Sequence, residues 1–255
     1  LNFFEQNRKD GVLILRDARQ SDLFAKKLLA NDFMPVVCPV IQIEPRGLTD
    51  ELAAAFQKIS SYDWIVFTSP NGVKAFFTLY LGEKGDLRRL SQAKFAVIGK
   101  GTAEVLAEYG FIADFVPSKQ VSFALADGLL PLLKEGENIL LPRSAIADND
   151  LKEKLETKGF VDDIKIYDTL ICTEKEEELK TLLQTGEVKY VPFTSASTVD
   201  GFMKACDGDL ICLKQVKTVA IGPITAKRMR ELGMTPDLEA ADHSLDGIVA
   251  VLQGD

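Results

Sequence analysis

The sequence predicts an α/β fold made of two similar halves with parallel sheets, and three observations carry that prediction. A segment from Asp63 to Phe77, reading as a strand, a Phe-Thr-Ser turn and a helix start, returns 126 positions later as Lys189 to Met203. The segment from Lys94 to Ala103, with Ile-Gly ahead of its helix, returns 123 positions later as Lys217 to Ala226. Short runs rich in Val, Ile and Phe alternate with amphipathic stretches along the chain, the pattern of buried parallel strands and their covering helices. Matched landmarks in the same order at nearly the same spacing mark an internal repeat.

The strand runs fall at 12–15, 36–43, 64–67, 95–98, 139–141, 164–167, 190–193 and 219–221. Helical periodicity fills 22–29, 52–59, 102–109, 151–158, 176–183 and 225–232. A third, weaker echo pairs the strand ending in Arg16 with the strand ending in Arg143, so each half runs strand-Arg, then Thr-Ser, then Ile-Gly. On the repeat alone, each half buries its own core. The segments 38–42 and 167–171 are extended and apolar, which reads as strand-like crossovers and not as flexible tethers.

Composition narrows the function. The chain has 255 residues, 46% of them hydrophobic and 27% charged, and no apolar run approaches the ~18 residues of a membrane helix. A net charge of −8 opposes a nucleic-acid surface, which needs clustered Lys and Arg. The single histidine, His243, leaves no material for a histidine-rich metal site, and it reads as solvated or capping. Four cysteines without a C-x-x-C pair fit reduced thiols. The opening residues show no basic region followed by an apolar core, so the expected compartment is the cytoplasm.

In parallel sheets, ligands gather beyond the carboxyl ends of strands, where the Thr-Ser and Ile-Gly turns fall. Ser69 followed by Pro70 suits a helix cap and first helical position. Four helix starts, at Thr68 and Ser69, at Gly99 and Thr102, at Thr194 to Ser197, and at Gly222 and Thr225, would offer unpaired amides to carboxylates or phosphates. Taken singly, each is an ordinary cap. Arg16 and Arg143 follow matching strands, where an arginine pairs with a ligand carboxylate or with a neighbouring side chain. Lys100 and Lys217 are similar cases. Gly99-Lys-Gly-Thr102 is no nucleotide P-loop, because the glycine that loop needs upstream is absent, Lys94 standing in its place. Tyr167 sits where an apolar strand turns polar; a phenol of reference pKa about 10 is a modest acid there, and a strand tyrosine bonded to backbone is the plainer reading.

Five motifs, Phe67-Thr-Ser-Pro-Asn-Gly-Val, Val97-Ile-Gly-Lys-Gly-Thr-Ala, Ile166-Tyr-Asp-Thr, Phe193-Thr-Ser-Ala-Ser and Ala220-Ile-Gly-Pro-Ile-Thr-Ala, stand in an order that resembles the uroporphyrinogen-III synthase family. The resemblance runs from Val12 to Leu252. It implies two flavodoxin-like domains joined by a two-stranded crossover, with the active site in the cleft between them. The first domain would be discontinuous, 1–38 with 169–255, and the second, 39–168, inserted. The implied substrate is hydroxymethylbilane, a linear tetrapyrrole bearing carboxylates on every ring. The implied reaction closes it to uroporphyrinogen III, inverting ring D through a spiro intermediate, with no metal or organic cofactor. Because the free substrate closes unaided to the wrong isomer, the enzyme must fix ring D on one trajectory.

Position by position, Tyr167 matches the tyrosine that assists departure of the hydroxyl. Thr68, Ser69, Gly99, Thr102, Ser195 or Ser197, Lys217, Gly222 and Thr225 match substrate-holding positions. Ala196 departs from the proline often found in the second Thr-Ser motif, which leaves open whether Ser195 or Ser197 meets the ligand. Arg16 and Arg143 fall where the family varies and stand as carboxylate contacts only. A cleft between domains needs no second subunit, so a monomer is expected, with transient contact to hydroxymethylbilane synthase. Two α/β lobes equally describe a non-catalytic receptor for a small anion, and flavodoxin-like domains also serve phosphate-handling or flavin enzymes.

Overall fold

A computed structural model describes residues 9–17, 21–147 and 149–255. The opening segment 1–8, read above for targeting signals, lies outside the described residues. In chain order the elements are β1 (Gly11–Ile14), α1 (Ser21–Ala30), β2 (Met34–Val37), β3 (Ile41–Pro45), α2 (Asp50–Gln57), β4 (Trp64–Phe67), α3 (Pro70–Gly82), β5 (Lys94–Val97), α4 (Lys100–Glu108) and α5 (Ser122–Leu129). They continue with β6 (Glu137–Ser144), α6 (Asp150–Glu156), β7 (Gly159–Ile171), α7 (Glu176–Gln184), β8 (Tyr190–Phe193), α8 (Ala196–Ala205), β9 (Lys217–Ala220), α9 (Pro223–Glu231), β10 (Leu238–Glu239) and α10 (Leu245–Gln253). The run read as one strand at 36–43 is two, β2 and β3, separated by Cys38, Pro39 and Val40. Of the four helices outside the helical stretches read above, α3 and α8 extend the helix starts of the repeat, while α5 and α10 have no counterpart there. Among the described residues no helix is long and apolar enough to cross a membrane.

Two units divide the chain: unit 1 is Leu1–Gln42 with Leu170–Asp255, and unit 2 is Ile43–Thr169. Unit 1 has the strand order β10-β9-β8-β1-β2, with every pair parallel. In its own numbering that is 2-1-3-4-5, the flavodoxin-like order. Central strands of such a sheet are covered on both faces, and β1 and β8 are buried at every position. Alternation sorts their side chains: Leu13, Val191 and Phe193 pack toward α7, α8 and α9, while Val12, Ile14 and Tyr190 pack toward α1 and α10.

Unit 2 has the order β3-β7-β6-β4-β5, parallel from β7 through β5. Its β4, Trp-Ile-Val-Phe, is buried throughout. Ile65 and Phe67 face the aromatic-rich cluster over α2 and α3, and Trp64 and Val66 face α5 and α6. The strand β3 lies beside β7. Arg46 donates its N–H to the Ile166 carbonyl and Cys172 donates to Val40, so the two segments run antiparallel. Both sheets are therefore three-layered α/β/α assemblies, one all parallel and one parallel except at β3.

Repeat and unit do not coincide. β1 pairs with β8, which carries the second Thr-Ser turn, while its echo β6 pairs with β4, which carries the first. The order β2-β1-β8-β9 in unit 1 matches β7-β6-β4-β5 in unit 2. Each unit thus takes its first strand from one repeat and its Thr-Ser and Ile-Gly strands from the other. The expectation that each half closes on its own core is corrected: the core of each unit needs both.

Candidate active site

In unit 2 the carboxyl edge is built around Tyr167. The register between β6 and β7 slips at Arg143/Ser144, so that Arg143 lies opposite Lys165 while Ser144 lies opposite Tyr167. Ile166 becomes the extra residue of a bulge, and such insertions re-aim the side chains beside them. Ile166 and Tyr167 accordingly join the same buried cluster. Tyr167 is 5% exposed, and its hydroxyl lies 2.9 Å from Ser69 Oγ. Ser144 is hydrogen-bonded to it as well. Burial pushes the phenol pKa up from its ordinary value, and the hydrogen bonds with Ser69 and then Ser144 offset part of the rise. The result is a phenol that stays protonated at neutral pH, held by two hydroxyls.

Ser69 has a second task. Its backbone is extended, its Oγ accepts from Gly72 N–H at 3.0 Å, and Pro70 occupies the first position of α3. That is the cap read from the sequence. Thr68, just before it, is half-buried. Next in the sheet, Gly99 precedes α4, whose third residue, Thr102, is 2% exposed. Gly99 has an extended backbone open to any residue, but a β-carbon there would meet Gln120 Oε1 at 2.3 Å. Lys100 is exposed at the first position of α4.

Unit 1 repeats this edge with different partners. Ser195 Oγ accepts from Thr198 N–H at 3.2 Å, and Thr198 Oγ1 accepts from Ser195 N–H at 3.1 Å, a reciprocal capping box. Ser195 Oγ also lies 2.9 Å from Ser197 Oγ. The cap thus engages Ser195 and leaves Ser197 as the second hydroxyl of the turn. Gly222 precedes Pro223 at the start of α9, with His243 where a β-carbon would sit, 2.8 Å from Cδ2. Thr225, 4% exposed, matches Thr102.

Ser69→Ala and Ser195→Ala should each lower stability by about 1 kcal/mol through loss of a cap. Only Ser69→Ala should also depress activity, since only Ser69 touches Tyr167. Urea midpoints and initial rates on the same preparations check both; equal activity losses would refute the asymmetry.

Two expected contacts are corrected. Lys217 is the first residue of β9, so it stands at the amino end of the strand whose other end carries Gly222. Its Nζ donates to both Asp255 oxygens at 2.7 Å, beside Tyr190. The rest of the strand, Thr218 to Ala220, separates it from the carboxyl edge, farther than its side chain reaches. Arg143 is 2% exposed, and its guanidinium clasps Asp163 through Nε at 2.7 Å and Nη2 at 2.8 Å, with Asn149 Oδ1 at 3.4 Å. Lys165 adds bonds of 2.9 and 3.0 Å to the same carboxylate. Arg143 therefore ties β6 to β7. Arg16 follows β1 at the carboxyl edge of unit 1; burial pulls its guanidinium down from the ordinary value, and Asp17 works the other way.

Sequence reasoning missed Ser144, Thr198, Gln120 and His243 as members of these edges. Thr198, three residues after Ser195, carried a readable capping-box signal. Ser144 follows the matched Arg143 and was readable as a strand end. Nothing local points to Gln120 or His243, which reach their glycines through loops.

Hydroxyl-capped helix starts stand at the carboxyl ends of the parallel strands, the edge at which α/β proteins of this layered class gather ligands. The family model of Uroporphyrinogen-III synthase HemD matches residues 22–250, and the chain belongs to that family. It is 34% identical over 225 residues to the porphyrin biosynthesis protein HemD of Ruminiclostridium josui, covering 88% of this chain and 44% of that one. The chain thus spans less than half the length of this relative. With the uroporphyrinogen-III synthase of Synechococcus elongatus it shares 26% identity over 249 residues, 95% of this chain and 94% of the other. Among solved structures, a mutant uroporphyrinogen III synthase from the extremely thermophilic bacterium Thermus thermophilus superposes with a TM-score of 0.65 at 24% identity, covering 96% of this chain and all of that one. The Helicobacter pylori enzyme gives 0.62 at 18% identity, covering 96% and 99%. At those identities the solved structures speak to the fold.

Proposed function

We propose that this chain is a hydro-lyase that cyclises hydroxymethylbilane to uroporphyrinogen III, one step of tetrapyrrole biosynthesis. The observation that carries the reading is the buried phenol of Tyr167, hydrogen-bonded to Ser69 and Ser144 at the strand edge of unit 2, which carries three of the family's motifs. Tyr167 O–H donates its proton to the terminal hydroxyl of the substrate, the C–O bond breaks, and water leaves. The azafulvene cation that remains is captured at the already substituted carbon of ring D. The spiro intermediate then rearranges with ring D inverted, and the carbon that closes the macrocycle sheds its proton, which balances the one Tyr167 gave to the departing water.

Binding falls to the helix starts. The amides after Ser69, Gly99, Ser195 and Gly222 suit the substrate carboxylates, with Thr68 and Ser197 supplying hydroxyls. Because Ser69 is bonded to the phenol and Ser195 to another serine, the two Thr-Ser turns take different tasks, reaction in unit 2 and holding in unit 1.

Hydroxymethylbilane generated fresh by its synthase, incubated with the protein and resolved by chromatography after oxidation, tests the proposal. The type III isomer is expected to dominate with the protein and the type I isomer without it. Type I dominance in both would refute it.

A further inference from the structure

Two thiols meet at the end of α8 remote from Ser195. Cys206 closes the helix, and Cys212 stands in the 3-10 turn Ile211–Leu213. Their sulfurs are 3.6 Å apart. Cys206 is 2% exposed, and Cys212 is half-buried beside a cavity of about 270 Å³ lined in part by Lys180, Asp209, Lys214 and Gln215. A disulfide holds its sulfurs at about 2.05 Å, so a movement of about 1.5 Å joins them. Between the cysteines, Asp207 and Gly208 turn the chain at φ 50° and 76° and lie outside helix and sheet, where such a movement is absorbed.

The chemistry of the pair is divided. The hydrogen bond with Cys206 pulls the Cys212 thiol down from its ordinary value, burial works against it, and the Cys212 S–H donates to the Asp209 carbonyl at 3.2 Å. Cys206 is pushed up by the same hydrogen bond and by burial. Cys212, the more accessible of the two and on the cavity wall, is the thiol that a small disulfide reaches, and the buried Cys206 is the resolving thiol. Cys38 is fully buried, with its thiol pushed up to about 11 by burial.

We propose that Cys206 and Cys212 are a redox modification site that forms a reversible intrachain disulfide by exchange with a low-molecular-weight disulfide entering this cavity. The Cys212 thiolate attacks one sulfur of the small disulfide, whose S–S bond breaks and whose first half leaves as a thiolate that takes up a proton. Cys206, losing its proton, attacks the Cys212 sulfur of the mixed disulfide and expels the second half. The protein loses two electrons and two protons, and the small disulfide becomes two thiols. Closing this short loop restricts the unfolded chain and stabilises unit 1.

Equilibration of the full chain with oxidised and reduced glutathione tests the site. One tryptic peptide, 205–214, holds both thiols. In excess oxidised glutathione it is expected to lose two hydrogens and resist alkylation, to revert in excess reduced glutathione, and to do the same in Cys172→Ser protein. The oxidised form is expected to melt at a higher temperature than the reduced form. Full alkylation of both thiols after oxidation would overturn the proposal, as would a glutathione adduct persisting on Cys212 with Cys206 still alkylated.

Discussion

Tyr167→Phe is expected to lower kcat for the type III product by about 10²-fold or more, the usual contribution of a general acid, with KM little changed. The substitution removes one hydroxyl and keeps a ring that packs with Phe67, Leu140 and Ile164, so the fold is retained. Type I product from unaided closure should rise as the catalysed path fails, and chromatography of timed samples reads both isomers together. The pH profile follows from the raised phenol pKa: the acid must carry its proton, so the wild-type rate stays level through neutrality and declines only as pH climbs beyond about 10. Retention of wild-type kcat by Tyr167→Phe would remove Tyr167 from the mechanism and leave water as the proton source.

Arg143→Ala should be the costliest single change in the β6–β7 pair, lowering stability by about 3–5 kcal/mol, because it strands a buried carboxylate. Asp163 would keep only Lys165. Replacing the pair together, with Arg143→Met and Asp163→Leu, should recover most of that loss, since well-packed apolar side chains often match a buried ion pair. Burial works to raise the Asp163 pKa, yet the hydrogen bonds from Arg143 and Lys165 outweigh it and hold the group below the usual carboxylate range. Its folded-state pKa is therefore depressed, and the stability it contributes is present above about pH 4 and lost as pH falls through the folded value. Without Arg143 burial dominates, so the gap between wild type and Arg143→Ala should narrow in acid. Urea midpoints across that range check the sign.

Helix caps were legible because their signal is local: Ser69 with Pro70, and Ser195 with Thr198, each lie within one turn of the bond they make. The order of strands and the α/β class were legible for a related reason, that burial on both faces writes itself into runs such as Trp64 to Phe67. Partners far along the chain were not. Arg143 stands at a strand end as expected, but the carboxylate that claims it is twenty residues on, in the neighbouring strand. The position of Tyr167 was readable and its orientation was not, since a one-residue slip between two strands leaves no mark in either. Lys217 shows the opposite failure, a motif position whose end of the strand carries a C-terminal ion pair instead of the ligand edge.

The exchange of first strands between repeats has a consequence during synthesis. A ribosome makes β1 and β2 before any strand of unit 2, but the other neighbour of β1 in the sheet, β8, begins only at Tyr190. All five strands of unit 2 have been made by Ile171, so the inserted unit can finish folding while β1 waits with an apolar strand half paired, the kind of edge that invites aggregation. A nascent chain halted after unit 2 would carry one finished body preceded by a half-paired apolar strand. Unit 1 therefore closes only once β8 and the strands after it have been made, later than unit 2.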